Sequence, residues 1–141
     1  MATPWLDIAL AEEGTAEYPG PESNQRILEY IASTTYPDPE EQDDSRVPWC
    51  SCFVNWCVEQ AGLPGTKSAA ASSWREWGEE LEYGEEGCVV VMTRPGGNHV
   101  GFYMNENDYG VLVLGGNQGD RVSRAWFSWD RITNFKWPDN A

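Results

Sequence analysis

Basic residues are scarce in this chain of 141 residues: nine Lys and Arg stand against 23 Asp and Glu, for a formal net charge of −14. That balance leaves no basic stripe to track phosphates, which argues against nucleic acid as a partner and against an anionic lipid surface. No apolar run approaches the roughly 20 residues that a membrane-spanning helix needs, so membrane insertion is not expected. The amino terminus, Met1-Ala2-Thr3-Pro4-Trp5-Leu6-Asp7, has neither a basic start nor a pure apolar stretch, so no secretory signal is legible. Synthesis in the cytoplasm without a signal peptide is the expectation. Histidine is scarcer still, because His99 is the only one.

Aromatic residues are plentiful, with eight Trp, six Tyr and four Phe in a composition that is 40% hydrophobic. A chain of this size and content can bury a real core, and it reads as one domain over residues 1–141. The acidic excess is uneven. Residues 1–50 carry 11 acids against 2 bases, whereas residues 91–141 carry 5 of each. Most of that excess serves solubility.

Four cysteines stand at 50, 52, 57 and 88. Without a secretory signal a disulfide framework is disfavoured. Zinc is disfavoured by geometry. On a helix over residues 48–61, Cys50 and Cys52 point about 200° apart. Cys50 and Cys57 share a face but lie roughly 10 Å apart along it, too far for one ion.

Helical spacing dominates the first part, about residues 1–80. Thr3 and Pro4 open a helix with Trp5, Ile8 and Ala9 on one face and Gly14 as its stop. Ser23 is the expected cap of a second, with Ile27, Leu28 and Ile31 at core spacing. Pro37-Asp38-Pro39-Glu40-Glu41-Gln42-Asp43-Asp44 reads as a solvated acidic loop. A third helix runs from Pro48 to Ala61 before Gly62, and a fourth from Ala69 to Trp77. From about 85 to 138 the period changes. Residues 88–92, 100–104, 111–114, 122–127 and 132–137 are short β-rich runs separated by Gly, Pro, Asn and Asp turns. Helices followed by hairpin-spaced strands predict an α+β fold with an antiparallel sheet.

A nucleophilic thiol needs help to ionise, and the first turn of a helix supplies unpaired N–H groups and a favourable dipole. Only Cys50, two residues past Pro48, sits there. Cys52 and Cys57 fall deeper in the helix, and Cys88 reads as a small buried hydrophobe. Any imidazole chemistry must use His99. A hairpin of residues 99–104 and 109–117 that pairs His99 with Gly115 puts Asn117 on the same face, one step along, able to orient the ring. A slip of one residue turns it away and leaves Asn117 as a turn former before Gly119. Backbone N–H groups at the helix start, those of Cys50 and Ser51, are the natural oxyanion donors.

Three blocks then become recognisable: Val47-Pro48-Trp49-Cys50-Ser51-Cys52-Phe53-Val54-Asn55-Trp56, Gly96-Gly97-Asn98-His99-Val100-Gly101-Phe102, and Leu114-Gly115-Gly116-Asn117-Gln118. In this order they resemble a phage and prophage family of small cell-wall hydrolases related to the CHAP and NlpC-type papain-like enzymes. The resemblance runs from Trp5 to Trp137. It implies a papain-like domain with N-terminal helices on a C-terminal antiparallel sheet, Cys50 as nucleophile, His99 as base and Asn117 as the third polar group. Trp49, Gly97, Asn98 and Gln118 are the expected groove residues beside them. The implied substrate is peptidoglycan, cut at an amide by an endopeptidase or amidase that needs no metal or cofactor. Such an enzyme acts on the wall after release as a phage-type lysin or after injection as an antibacterial effector, the latter with a cognate immunity protein as partner. The competing expectations are a papain-like amidase acting on a non-wall amide and a catalytically silent binding or structural module. One departure is local: Cys88 follows Gly87 where the family commonly has Asp.

Overall fold

Proline at a first turn and an apolar stripe start the first helix, α1 (Pro4–Ala11), which buries Trp5, Leu6 and Ala9. The structure, a computed structural model, describes residues 3–19, 22–36 and 48–139. The acidic loop read at 37–44 lies outside them. Trp5 Nε1 donates to the Gly87 carbonyl at 2.7 Å and ties α1 to the loop that enters the sheet. The second helix, α2 (Gln25–Ala32), is capped by Asn24, whose side chain accepts from the Arg26 N–H, and not by Ser23 as expected. Ile27, Tyr30 and Ile31 are its buried face, while Leu28 is only half buried.

The third helix, α3 (Cys50–Gln60), is buried on nearly every side, as a helix must be when it is wedged between α1, α2 and a sheet. Its one buried amide, Asn55, is fully occupied. It donates to the Ser33 carbonyl and hydroxyl at 3.0 Å each and accepts from the Lys67 N–H at 2.9 Å. Gly62, at φ +83°, turns the chain away after the helix. The expected fourth helix is instead a 3-10 segment, Ala71–Glu76. Its serines compete for the backbone: Ser73 Oγ binds the Ala70 carbonyl at 2.7 Å.

Six strands follow: β1 (Glu79–Leu81), β2 (Val89–Arg94), β3 (Gly97–Glu106), β4 (Gly110–Gly115), β5 (Ser123–Ser128) and β6 (Ile132–Trp137). They form one antiparallel sheet in the order β1-β6-β2-β3-β4-β5. The α+β architecture therefore stands as read, except that β1 was not foreseen. Its Glu-Glu-Leu carries no strand pattern, and only pairing with Phe135–Trp137 makes it one. Both sheet faces are apolar. Val89, Val91, Val100, Phe102 and Leu114 pack toward the helices. Val90, Met92, Tyr103, Val111, Val113 and Phe135 form a second cluster on the far side. A two-sided core explains why residues 89–92 show a continuous apolar run instead of alternation.

Candidate active site

The β3–β4 hairpin carries the chemistry, and its register differs from the expected one by two residues. Phe102 pairs with Leu114 and Tyr103 with Val113; after a bulge, Asn105 pairs with Leu112. A shift of two preserves the face but not the reach. β4 ends at Gly115, so residues 116–119 leave the sheet in a tight turn with Asn117 at φ +58° and Gly119 at φ +69°. Gly116 is required there, since a Cβ would lie 2.7 Å from Phe53 Cβ and 2.8 Å from the Trp49 ring.

This turn brings Gln118, and not Asn117, to the imidazole. Gln118 Oε1 lies 2.9 Å from His99 Nε2. The Gln118 amide nitrogen donates to the Val113 carbonyl at 3.2 Å and to the Ser123 carbonyl at 2.7 Å, which fixes the orientation of the amide. With the oxygen toward the ring, Nε2 carries the proton and Nδ1 keeps its lone pair. Asn117 is thus corrected from orienting residue to left-handed turn residue, a conformation that Asn tolerates better than most side chains. It still borders the cleft beside His99.

Cys50 stands where the sequence placed it, at the start of α3 and 4% exposed. Backbone N–H groups of Val100, Ser51 and Cys50 itself, with the nearby Arg94 charge, favour its thiolate. Burial outweighs them and moves the thiol up from its ordinary value. The other three thiols have no exposed surface, and burial pushes Cys52 and Cys88 up to about 12 and Cys57 well above the usual range. His99 is moved down, chiefly by burial and further by the charges of Arg94 and Arg131, while its bond to Gln118 opposes the shift. At neutral pH the site therefore holds a neutral thiol and a neutral imidazole.

No hydrogen bond joins Cys50 to His99 among the described residues. The thiol touches the N–H of Val100, the next residue along β3, on the helix side of the sheet. The imidazole lies with the opposite set, its ring 5.4 Å from that of Phe127. Each group opens on its own cleft. One, of about 420 Å³, is lined by His99, Gln118, Arg94, Phe127 and Arg131 among others. The other, of about 210 Å³, is lined by Cys50, Pro48, Asn98, Arg94 and residues 69–72. Arg94 borders both.

Of the four expected groove residues, Asn98 lines the thiol cleft, with its oxygen held by Arg75 at 2.6 Å. Gln118 lines the imidazole cleft. Gly97 is exposed and borders neither. Trp49 is corrected: it is wholly buried, with Nε1 donating to Glu17 at 2.9 Å, because the residue before a central helix is drawn into the core. The N–H groups of Cys50 and Ser51, the expected oxyanion donors, both favour the Cys50 thiolate. The Ser51 side chain has a separate duty. It donates to the Ser68 carbonyl at 2.6 Å and accepts from Trp74 Nε1 at 2.8 Å, locking the 3-10 segment to the start of α3.

The architecture is that of NlpC/P60 proteins. A lipoprotein-like protein of the NLP/P60 family from Staphylococcus aureus superposes with a TM-score of 0.55 at 16% identity, over 97% of this chain and 41% of that one. RipD from Mycobacterium tuberculosis, described as a non-catalytic NlpC/p60 domain protein adapted to peptidoglycan binding, superposes with a TM-score of 0.54 at 14% identity, over 94% and 92%. This chain thus spans less than half the length of the staphylococcal protein. No family model and no curated sequence matches it. At these identities the likeness is one of fold.

Proposed function

We propose that this protein hydrolyses an amide bond of peptidoglycan, as endopeptidase or amidase, with Cys50 as nucleophile, His99 as base and Gln118 as the positioning residue. The observation that carries this reading is the fixed Gln118 amide, which holds the lone imidazole with Nδ1 unprotonated. A neutral base is what a neutral thiol requires. On substrate binding, Nδ1 takes the Cys50 proton as sulfur attacks the amide carbonyl. The resulting oxyanion is met by the N–H groups of Cys50 and Ser51, and the imidazolium gives its proton to the departing amine. Water, deprotonated by the same ring, then hydrolyses the thioester. In the described geometry the thiol and the ring point to opposite faces of β3 and share no bond, so this proton transfer requires the ring or the start of α3 to move when substrate binds.

Delivery fits a lysin released to the wall or an effector injected into rival cells, the latter with an immunity protein in the producer. Specific observations favour a second reading as well. The thiol and imidazole are not bonded and the thiol is raised, as suits a protein that binds peptidoglycan without cutting it, the role described for RipD. Incubation with purified cell-wall sacculi separates the two. Release of soluble fragments that is lost in Cys50→Ala and His99→Ala supports the enzyme. Co-sedimentation with sacculi and no release, by wild type and variants alike, supports the binding protein.

A further inference from the structure

In a chain of net charge −14, most described cations are already paired. Arg26, Lys67, Arg124 and Lys136 each contact a glutamate, and Arg75 donates to Asn98. Arg121 has no side-chain partner among the described residues, but it is exposed and borders neither cleft. Arg94 and Arg131 differ. Each spends only its Nε–H, on the carbonyls of Asn98 at 3.0 Å and Thr93 at 2.9 Å. Neither has a carboxylate partner among the described residues. Arg131 also lies over the Phe127 ring, 5.0 Å from its centroid, which sets the plane of the guanidinium. Anchored through Nε, both guanidiniums keep their Nη edges for something else. Both line the 420 Å³ cleft whose wall is His99.

We propose that this cleft binds the free carboxylate of the amino acid whose amine leaves, with Arg94 and Arg131 as its two donors. The inference rests on the amide-cleaving reading above and adds the chemical class of the leaving side. Two guanidiniums with free edges match a carboxylate in geometry and charge. The side of the substrate follows from the proton. His99 hands it to the leaving amine, so the cleft beside the ring takes the leaving group, and the thiol cleft takes the acyl group. Ala125 and Phe127 give the same cleft an apolar wall for a small side chain. The two positive charges also press His99 toward its neutral form, so an anion seated on them relieves that pressure when the ring must become an imidazolium.

The single histidine makes the test direct, because its ring protons give one unambiguous NMR signal. The full-length protein is titrated with N-acetyl-D-alanine and, separately, with N-acetyl-D-alanine amide, which lacks only the charge. The expected result is a saturable shift of the His99 signal with the acid and little response to the amide. Arg131→Gln is expected to weaken the acid's half-saturation roughly tenfold. Arg94→Gln, in an exposed side chain beside the β2–β3 turn, serves as a second variant with the same expectation. Equal responses to acid and amide, or an unchanged titration in both folded variants, overturn the proposal. The titration needs no turnover. Selective binding without any wall hydrolysis leaves this cleft standing and removes the enzymatic reading, and hydrolysis without selectivity does the reverse.

Discussion

Gln118 reaches His99 Nε2 with its oxygen at 2.9 Å while its nitrogen is tied to the carbonyls of Val113 and Ser123, so one side chain sets both the tilt and the tautomer of the ring. Neighbouring Asn117, at φ +58°, makes the turn that lets it do so.

The two residues therefore separate on mutation. Gln118→Ala is expected to lower kcat on the order of 10–100-fold, less than the roughly 10²–10⁴-fold that loss of a general base costs. Asn117→Ala is expected to keep kcat and to lose about 1–2 kcal/mol of stability, through a left-handed backbone that alanine resists. Asn117→Gly restores that stability. Urea unfolding beside steady-state kinetics checks all three; a large rate loss in a fully stable Asn117→Ala contradicts the assignment.

Acid should destabilise the fold through His99. In the unfolded chain the ring takes up a proton near its ordinary value of 6.5, but burial, Arg94 and Arg131 hold it below that in the folded protein. Between the two values the unfolded state binds the extra proton. This contribution is thus fully present above about pH 6.5 and is lost as pH falls toward the folded value. Wild-type Tm is expected to drop more steeply below that pH than the Tm of His99→Gln. Parallel curves contradict it.

Thiol labelling should be slow and selective. Cys52, Cys57 and Cys88 are wholly buried, whereas Cys50 borders a cleft. Iodoacetamide on the native protein is expected to modify Cys50 alone, faster as pH rises, because burial keeps the thiol protonated at neutrality. Peptide mapping identifies the site, and labelling of Cys52 ahead of Cys50 contradicts the placement.

Ser51→Ala is expected to cost about 1–3 kcal/mol, since it leaves the Trp74 N–H and the Ser68 carbonyl without their partner in the interior. Chemical denaturation measures this. Ser51→Thr, which keeps the hydroxyl, should recover part of it.

Much of this was legible before any coordinates, wherever local chemistry decides. Pro48 and the apolar run after it define α3 and put Cys50 in its first turn. The valines of β2 and the turns between strands define the sheet. What stayed hidden depends on distant partners. β1 exists only because β6 pairs with it. The 3-10 segment replaces a helix where Ser73 reaches Thr66 and Trp74 reaches Ser51. The exchange of Gln118 for Asn117 came from register: a β-bulge and the early end of β4 are not written in residues 99–117. A usable signal was present, since Asn between glycine-flanked positions favours a left-handed turn. Arg94 and Arg131 carry no motif, and only folding shows them without acidic partners.

The central claim is that the Cys50 thiol breaks a wall amide, and mass spectrometry of peptidoglycan fragments after digestion tests it most directly. With wild type, the expected spectrum shows one new amine and one new carboxylate at a single type of amide bond. With Cys50→Ala the spectrum should match untreated wall. Sacculi that bind the wild-type protein and return an unchanged spectrum contradict the claim.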